Sequence, residues 1–449
     1  MPPLLALTAC LAFVFFLLKF ERKQSPDVTR ALWLATVWML YISSKPLAAW
    51  LSYQAVDPER GSPVDRTFMI ALICAALVVL MRRKFDWGGA IRQNAPLFIL
   101  VAFMLMSISW SAMPFVSFKR WTQEILAILM AFVVFSEPSP RLAIESIMRR
   151  TVYVLIPLSV VLIKYYPDLG IQYGRWSGVR MWIGATLQKN NLARLCMISI
   201  LFLIWSMIRR RKEKRPRVGK AEIPIELFLT VVSIYLLMGP DRTPFYSATS
   251  FYALCLGLAV LTALLITRRM GMTVGKSLVA ALAALIIVIG TAGPFTGGSN
   301  LGFATSAAGR DSTLTGRTEV WASLLPVAMK HPLFGGGFGG FWTSRTREAF
   351  EISGAHSGYL EVLLALGFTG IVLVSVFYLS SCRRAHAALS DDFFWAALWL
   401  SLIIMHLVHN IAESSLDTLV SQLSATILFM TVSSVSPASP ERQAGGQAA

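Results

Sequence analysis

Charge is what this sequence has least of. Only 14% of its 449 residues are Asp, Glu, Lys or Arg, against roughly 25% in soluble domains. An ordinary water-soluble globular protein is therefore excluded. Acids are scarcer still: 24 carboxylates face 41 basic side chains, a formal charge of +17. The basic residues do not form the long blocks or faces of a nucleic-acid binder. They sit in short clusters between apolar runs, the pattern of loops that flank membrane spans. Cysteine is sparse and odd in number: Cys10, Cys74, Cys196, Cys255 and Cys382, with no CxxC pair. This excludes a disulfide framework and a cysteine zinc site. The five histidines form no HExxH pattern, which removes a zinc-protease reading. No motif calls for a cofactor or a metal.

Apolar length is what the chain has instead. It is 55% apolar with mean hydropathy +0.62, and a bilayer-spanning helix needs about 20 apolar residues. Candidate spans centre on 3–20, 31–52, 67–81, 96–113, 121–136, 151–166, 192–208, 224–239, 244–267, 277–294, 358–381, 392–410 and 418–435. The expected fold is all-α, a polytopic membrane bundle of about 12–13 helices. A single membrane domain over 1–435 carries one long loop, 295–357, and a disordered cytoplasmic tail over 436–449 rich in Ser, Pro, Gly and Gln. Residues 31–52 are interrupted by Ser43-Ser44-Lys45-Pro46. The first twenty residues lack a basic start, and Lys19, Arg22 and Lys23 follow the apolar stretch. They read as an anchor helix rather than a cleaved leader.

Loops after odd-numbered spans hold 25 of the 41 basic residues. Positive-inside bias places those loops in the cytoplasm and the 295–357 loop outside. The other 16 cluster: Lys119 and Arg120; Arg175, Arg180, Lys189 and Arg194; Arg242; Arg310 and Arg317. An outer face that keeps so many cations against the topological bias suits an anionic ligand.

Four constellations on that face carry possible chemistry. Arg310 and Arg317 each follow a glycine, and an arginine fork suits phosphate oxygens. Gln188-Lys189-Asn190-Asn191 opens the seventh span, where polar groups at a helix start face anions or merely cap the helix. Asp241-Arg242 lies in a tight turn between two spans, either a ligand site or an interhelical ion pair. His356 closes the long loop at the mouth of a helix, and its side chain suits proton transfer near neutral pH. His409-Asn410, Glu413 and Gln123-Glu124 are polar residues with no specific signature.

One ordered pattern goes further. His356-Ser357, nine residues, Gly367, two residues, then Gly370 resembles the signature of the bacterial O-antigen ligase and Wzy-type polysaccharide polymerase superfamily. Thr313-Leu314-Thr315-Gly316-Arg317, Trp321, Pro332-Leu333-Phe334-Gly335, the Phe338-to-Trp342 run, Lys189-Asn190 and Ser109-Trp110-Ser111 before Lys119-Arg120 look like the exopolysaccharide polymerases of that group. The resemblance covers roughly 105–435.

It implies a metal-independent, inverting glycosyltransferase of the bacterial inner membrane, acting at the periplasmic face. Its donor would be a glycan on polyprenyl diphosphate. His356 would then be the general base and Arg317 the main diphosphate ligand. Arg310, Arg242, Arg175, Arg180, Lys189 and Asn190 are further substrate contacts. Expected partners are lipid-linked oligosaccharides, membrane lipid, a chain-length regulator and an export complex, with no nucleic acid. Ligase and protein O-oligosaccharyltransferase share donor and fold and differ in acceptor. A lipid-linked glycan transporter is the competing class, but it would place charge along span centres, where this chain has little.

Overall fold

The computed structural model describes residues 1–52, 59, 61–174, 178–213, 222–240, 246–297, 317–352 and 354–434. Arg175, Arg242, Arg310, the 436–449 tail and the Thr313–Gly316 motif lie outside the described residues. The protein is an all-α polytopic bundle. Each of the thirteen apolar windows falls on a helix, but not each on a full-length one. Among the described residues, seven helices are long and apolar enough to cross a bilayer, or eight if one pair bent by 92° is a single span.

The first half contains α1 (Pro3–Gln24), α2 (Leu32–Ser43), α3 (Leu47–Ser52), α4 (Pro63–Arg82), α5 (Trp87–Gln93), α6 (Ala95–Ser107), α7 (Pro114–Phe135) and α8 (Pro140–Tyr165). The stop between α2 and α3 falls at the Ser44-Lys45-Pro46 interruption. Proline has no N–H to continue the helix, and the buried Lys45 ammonium turns aside to donate to the Gly184 carbonyl at 2.9 Å. A one-turn helix, α9 (Pro167–Gly170), leads into a small antiparallel hairpin, β1 (Ile171–Tyr173) and β2 (Arg180–Trp182).

Then come α10 (Lys189–Glu213), α11 (Glu222–Met238), α12 (Ala248–Arg269), α13 (Lys276–Ala292), α14 (Arg317–Ala328), α15 (Ser344–Phe350), α16 (Gly358–Ala387), α17 (Phe393–His409) and α18 (Gln422–Ser433). Helix α17 is apolar on every side, and Phe394 to Leu407 are all buried. Such a helix belongs at the centre of a bundle, where α17 packs on α10, α12, α16 and α18. By contrast α1, α4, α11 and α13 leave Phe15, Ile70, Phe228 and Val288 exposed, the faces that hydrocarbon would cover.

The described part of the long loop from Arg317 onward is helical where its polar composition suggests loop. Val320, Trp321, Leu324 and Ala328 recur at helical spacing on α14. Trp321 and Leu324 are fully buried and pack with Leu360, Leu363 and Leu364 of α16.

Helix α16 breaks at Gly367, whose backbone (φ 64, ψ −162) lies outside the helical region. Phe368 and Thr369 therefore cannot bond the carbonyls four residues back. Their N–H groups donate instead to Pro332 O (2.8 Å) and Leu333 O (3.1 Å), and the abandoned Leu364 and Ala365 carbonyls accept from Gly336 N (2.8 Å) and Gly337 N (2.9 Å). The glycine-rich run is thus spliced into the ladder of a helix, an identifiable cause for a kink. A side chain at Gly367 would meet the Leu333 backbone at 2.5 Å, and one at Gly335 the Leu366 nitrogen at 2.4 Å. Both positions also have positive φ, so glycine is required at the crossing.

Contacts sort the loops into two sets. Arg83 meets Glu137, Arg209 meets Asp392 and Arg384 meets Asn94 at one end. At the other, Phe338 meets Ser107, Glu124 meets Thr418 and Arg317 meets Glu413. The odd-numbered loops of the sequence thus share one end of the bundle.

Candidate active site

His356 is held between two fastened neighbours. The Trp321 indole donates to the Ala355 carbonyl at 3.0 Å, and Ala355 N–H donates to Glu361 Oε1 at 2.6 Å. On the other side the Ser357 hydroxyl caps α16 by accepting from Leu360 N. Gly358 N donates to the carbonyls of Asn410 (2.9 Å) and Glu413 (2.8 Å). His356 itself takes φ 50, a left-handed conformation that costs a non-glycine residue of order 1 kcal/mol. Bonds on both sides hold it there, and such strain concentrates at functional positions. The imidazole is half-buried. Burial lowers its pKa from the ordinary histidine value, the Arg317 cation lowers it further, and Glu413 opposes them. The ring is neutral at physiological pH, the form that accepts a proton.

A cationic group flanks it. Arg317, the first residue of α14, donates from Nη2 to Glu413 Oε1 at 2.7 Å. The same oxygen accepts from Asn190 Nδ2 at 2.7 Å. Glu413 thereby ties α14, α10 and the segment after α17 to one point. Arg194, one turn along α10 from Asn190, has a buried Nε with no hydrogen-bond partner among the described residues. It acts electrostatically with Glu413 and Asp417. Lys189 lies over the Tyr246 ring, 5.2 Å from its centroid, and the Tyr246 hydroxyl accepts from Trp182 N at 2.7 Å. Arg180 stands exposed on β2, near this side through the hairpin but outside the hydrogen-bonded cluster. Of the sequence-selected residues, the fold thus gathers His356, Arg317 and Asn190, with Lys189 beside them.

A group of carboxylates adjoins the site through Glu361 and Arg194. Glu361 accepts from Trp342 Nε1 at 2.7 Å as well as from Ala355 N. Glu124 accepts from Thr418 Oγ1 (2.6 Å) and Leu419 N (2.7 Å). Asp417 lies within electrostatic reach of Arg120 and Arg194. Burial raises its pKa and the two arginines pull it down. The Arg120 guanidinium is braced on the Gly339 carbonyl. Among the described residues no group of three or more His, Cys, Asp or Glu is arranged as a metal cage.

Phe338 of the glycine-rich run is 4% exposed, and its N–H donates to Ser107 Oγ at 3.0 Å. Phe341 and Trp342 remain half-buried beside the carboxylates. Glu413 emerges as the hub of the cationic side and Glu361 as the strut beneath the histidine, although neither carried a motif. Their signal was only that they are rare acids at predicted span ends, where ionisable groups are functional by default.

Residues 245–375 match the protein family described as O-Antigen ligase. The match takes in Arg317, His356 and the Gly367 break. The chain is also 25% identical over 292 residues to the exopolysaccharide production protein ExoQ of Rhizobium meliloti (strain 1021). The aligned part is 62% of this chain, and it spans about 62% of that curated relative's length. Both findings bear out the resemblance read from the ordered motifs.

Proposed function

From a chain of O-antigen ligase and Wzy-like resemblance, we propose a membrane glycosyltransferase that joins polyprenyl-diphosphate-linked oligosaccharide repeats into exopolysaccharide. The observation that carries this reading is the placement of neutral, strained His356 between the Arg317–Glu413–Asn190 group and the carboxylates. A base and an anion clamp on one face are the two groups such a transfer needs. His356 takes the proton from an acceptor hydroxyl as its oxygen bonds to the donor's anomeric carbon. The bond from that carbon to the diphosphate breaks, and polyprenyl diphosphate departs with the electron pair. Attack opposite the leaving group inverts the anomeric configuration. Arg317 meets the charge that grows on the leaving diphosphate, an interaction stronger in the transition state than in the ground state.

Glu413 now shares Arg317, so a diphosphate must compete for part of that guanidinium. Arginine has five donors, and the fork can serve both. The net positive charge of the opposite loops supports a periplasmic site. That orientation predicts labelling of Ser344→Cys, and not Lys212→Cys, by an impermeant maleimide in intact cells. The reverse pattern would place the site inside.

Likeness to an exopolysaccharide production protein favours exopolysaccharide as product, and the match to the O-antigen ligase family keeps ligase as the second reading. Purified protein given only lipid-linked single repeats distinguishes them. A ladder of longer lipid-linked glycans is the polymerase result. Repeats that elongate only onto an added lipid A core would make the protein a ligase.

A further inference from the structure

A cavity of about 250 Å3 lies against Glu361, the carboxylate that holds Ala355 next to His356, and is lined by Arg120, Gln123, Trp342, Glu361, Asp417 and Thr418. It is smaller than the roughly 300–1,000 Å3 of sites that enclose a drug-sized ligand, so it takes one ring rather than a chain. Its chemistry differs from that of the cationic flank. Glu124 lines it too, so three carboxylates stand against the single Arg120 guanidinium and would repel a diphosphate. The many polar side chains would leave hydroxyl and carboxylate groups unsatisfied against a lipid tail. An uncharged ring carrying several hydroxyls meets both demands.

Asp417 makes the case specific. Among the described residues no other residue donates a hydrogen bond to its carboxylate, and no cation lies within ion-pair distance of it. The neighbouring acids are different: Glu124 accepts from two donors and Glu361 from three, Trp342, Ala355 and Ser414. Asp417 is half-buried, so its carboxylate is the position in this wall that an incoming hydroxyl can reach. The Trp342 indole is fixed by its bond to Glu361, which presents a rigid aromatic surface to the cavity. Glu361 also holds Ala355, the residue before His356. Cavity wall and base therefore hang on one carboxylate.

We propose that this cavity is the acceptor-sugar subsite, in which Asp417 accepts a ring hydroxyl and Trp342 packs on the ring face. The word acceptor rests on the glycosyl-transfer reading above; binding of a sugar ring does not. The division of labour follows from charge: the anionic donor takes the Arg317 flank and the neutral sugar takes the carboxylate flank.

The test uses the full chain in lipid nanodiscs, titrated with the methyl glycosides of glucose, galactose, mannose and N-acetylglucosamine and read by saturation-transfer NMR. At least one glycoside should bind. Asp417→Asn, Asp417→Ala and Trp342→Leu should each weaken it by about 10-fold, the size expected for one buried hydrogen bond or ring contact. Arg317→Gln should leave the glycoside Kd in place. Thermal unfolding checks that each variant is folded, and Asp417→Asn decides if Trp342→Leu is not. No binding of any glycoside to the wild type, or an unchanged Kd in the cavity variants, overturns the subsite. The two readings fail separately. Cavity-dependent glycoside binding without any transfer would sink the polymerase assignment alone. Transfer with an unchanged acceptor KM in Asp417→Asn would sink the subsite alone.

Discussion

The two ends of the bundle use charge in opposite ways. At the end away from His356, Arg149, Arg150, Arg209 and Arg210 are met by Glu21, Glu145, Glu213, Glu222, Glu226 and Asp392. Arg150 and Glu21 are both about 1% exposed and 2.7 Å apart. Ser146 Oγ holds the other Glu21 oxygen at 2.5 Å. Buried charge of this kind persists only when it is paired and hydrogen-bonded. At the site end, among the described residues, Arg194 keeps a buried Nε without a hydrogen-bond partner, and the half-buried Asp417 carboxylate accepts from no other residue. One carboxylate, Glu413, is stretched over Arg317 and Asn190. The contrast is one of ion pairing: the scaffold end sets its arginines against carboxylates, although Arg149 Nε and Glu226 Oε2 there also lack a hydrogen-bond partner among the described residues, whereas the site end leaves charge available to a ligand. The same residue types therefore do structural work at one end and chemical work at the other.

The sharpest way to break this contrast is at the base. His356→Ala and Arg317→Lys should each lower turnover of lipid-linked repeats by about 100-fold or more, the loss expected for a general base or a charge clamp. Membrane insertion should be normal, and EDTA should leave the wild type active. An active His356→Ala protein would remove the base assignment. The opposite end should answer differently. Glu21→Gln strips the buried Arg150 of its ion-pair partner and should cost about 3–5 kcal/mol of stability, read as a lower unfolding midpoint in detergent. The folded fraction should retain wild-type specific activity. A turnover defect without a stability loss would erase the distinction between the ends.

The smallest effect concerns pH. The base must be neutral, and burial with Arg317 lowers the His356 pKa below its usual value. The rate should therefore be flat through neutral pH and fall only on the acid side. Removing the Arg317 cation relieves part of that depression, so the residual activity of Arg317→Gln should lose its acid limb at higher pH. Removing the Glu413 charge acts the other way, so Glu413→Gln should move the limb to lower pH. A limb that stays fixed in both variants belongs to another group.

Helix positions and the order of motifs were legible because each is written within a single stretch of chain. Apolar length marks a span, and the interruption at Ser44-Lys45-Pro46 marks a stop. The spacing from His356 to Gly367 and Gly370 survives because all lie on α16 or at its mouth. Glu413 was not legible as a hub. It lies 57 residues past His356, and its contacts with α10 and α14 exist only once α17 has crossed the bundle. Glu361 stands five residues after His356, a spacing that carries no motif. Its actual link to the histidine runs through the Ala355 backbone, which side-chain periodicity does not report. The α14 helix was hidden by the polar residues around a short apolar stripe.

The splice at Gly367 bears on how the chain is made. In hydrocarbon an unsatisfied backbone group costs several kcal/mol, and a broken α16 standing alone would expose four of them: the Leu364 and Ala365 carbonyls and the Phe368 and Thr369 amides. All four are satisfied by Pro332 to Gly337, a stretch synthesised before α16 leaves the ribosome. The nascent α16 has two ways to enter the bilayer. It can enter as an unbroken helix and exchange its bonds later, or wait at the membrane surface until the earlier strand is at hand. Either route makes biogenesis order-dependent: moving the Pro332–Gly337 strand to the far side of α16 by circular permutation would strand the helix without its clasp during insertion.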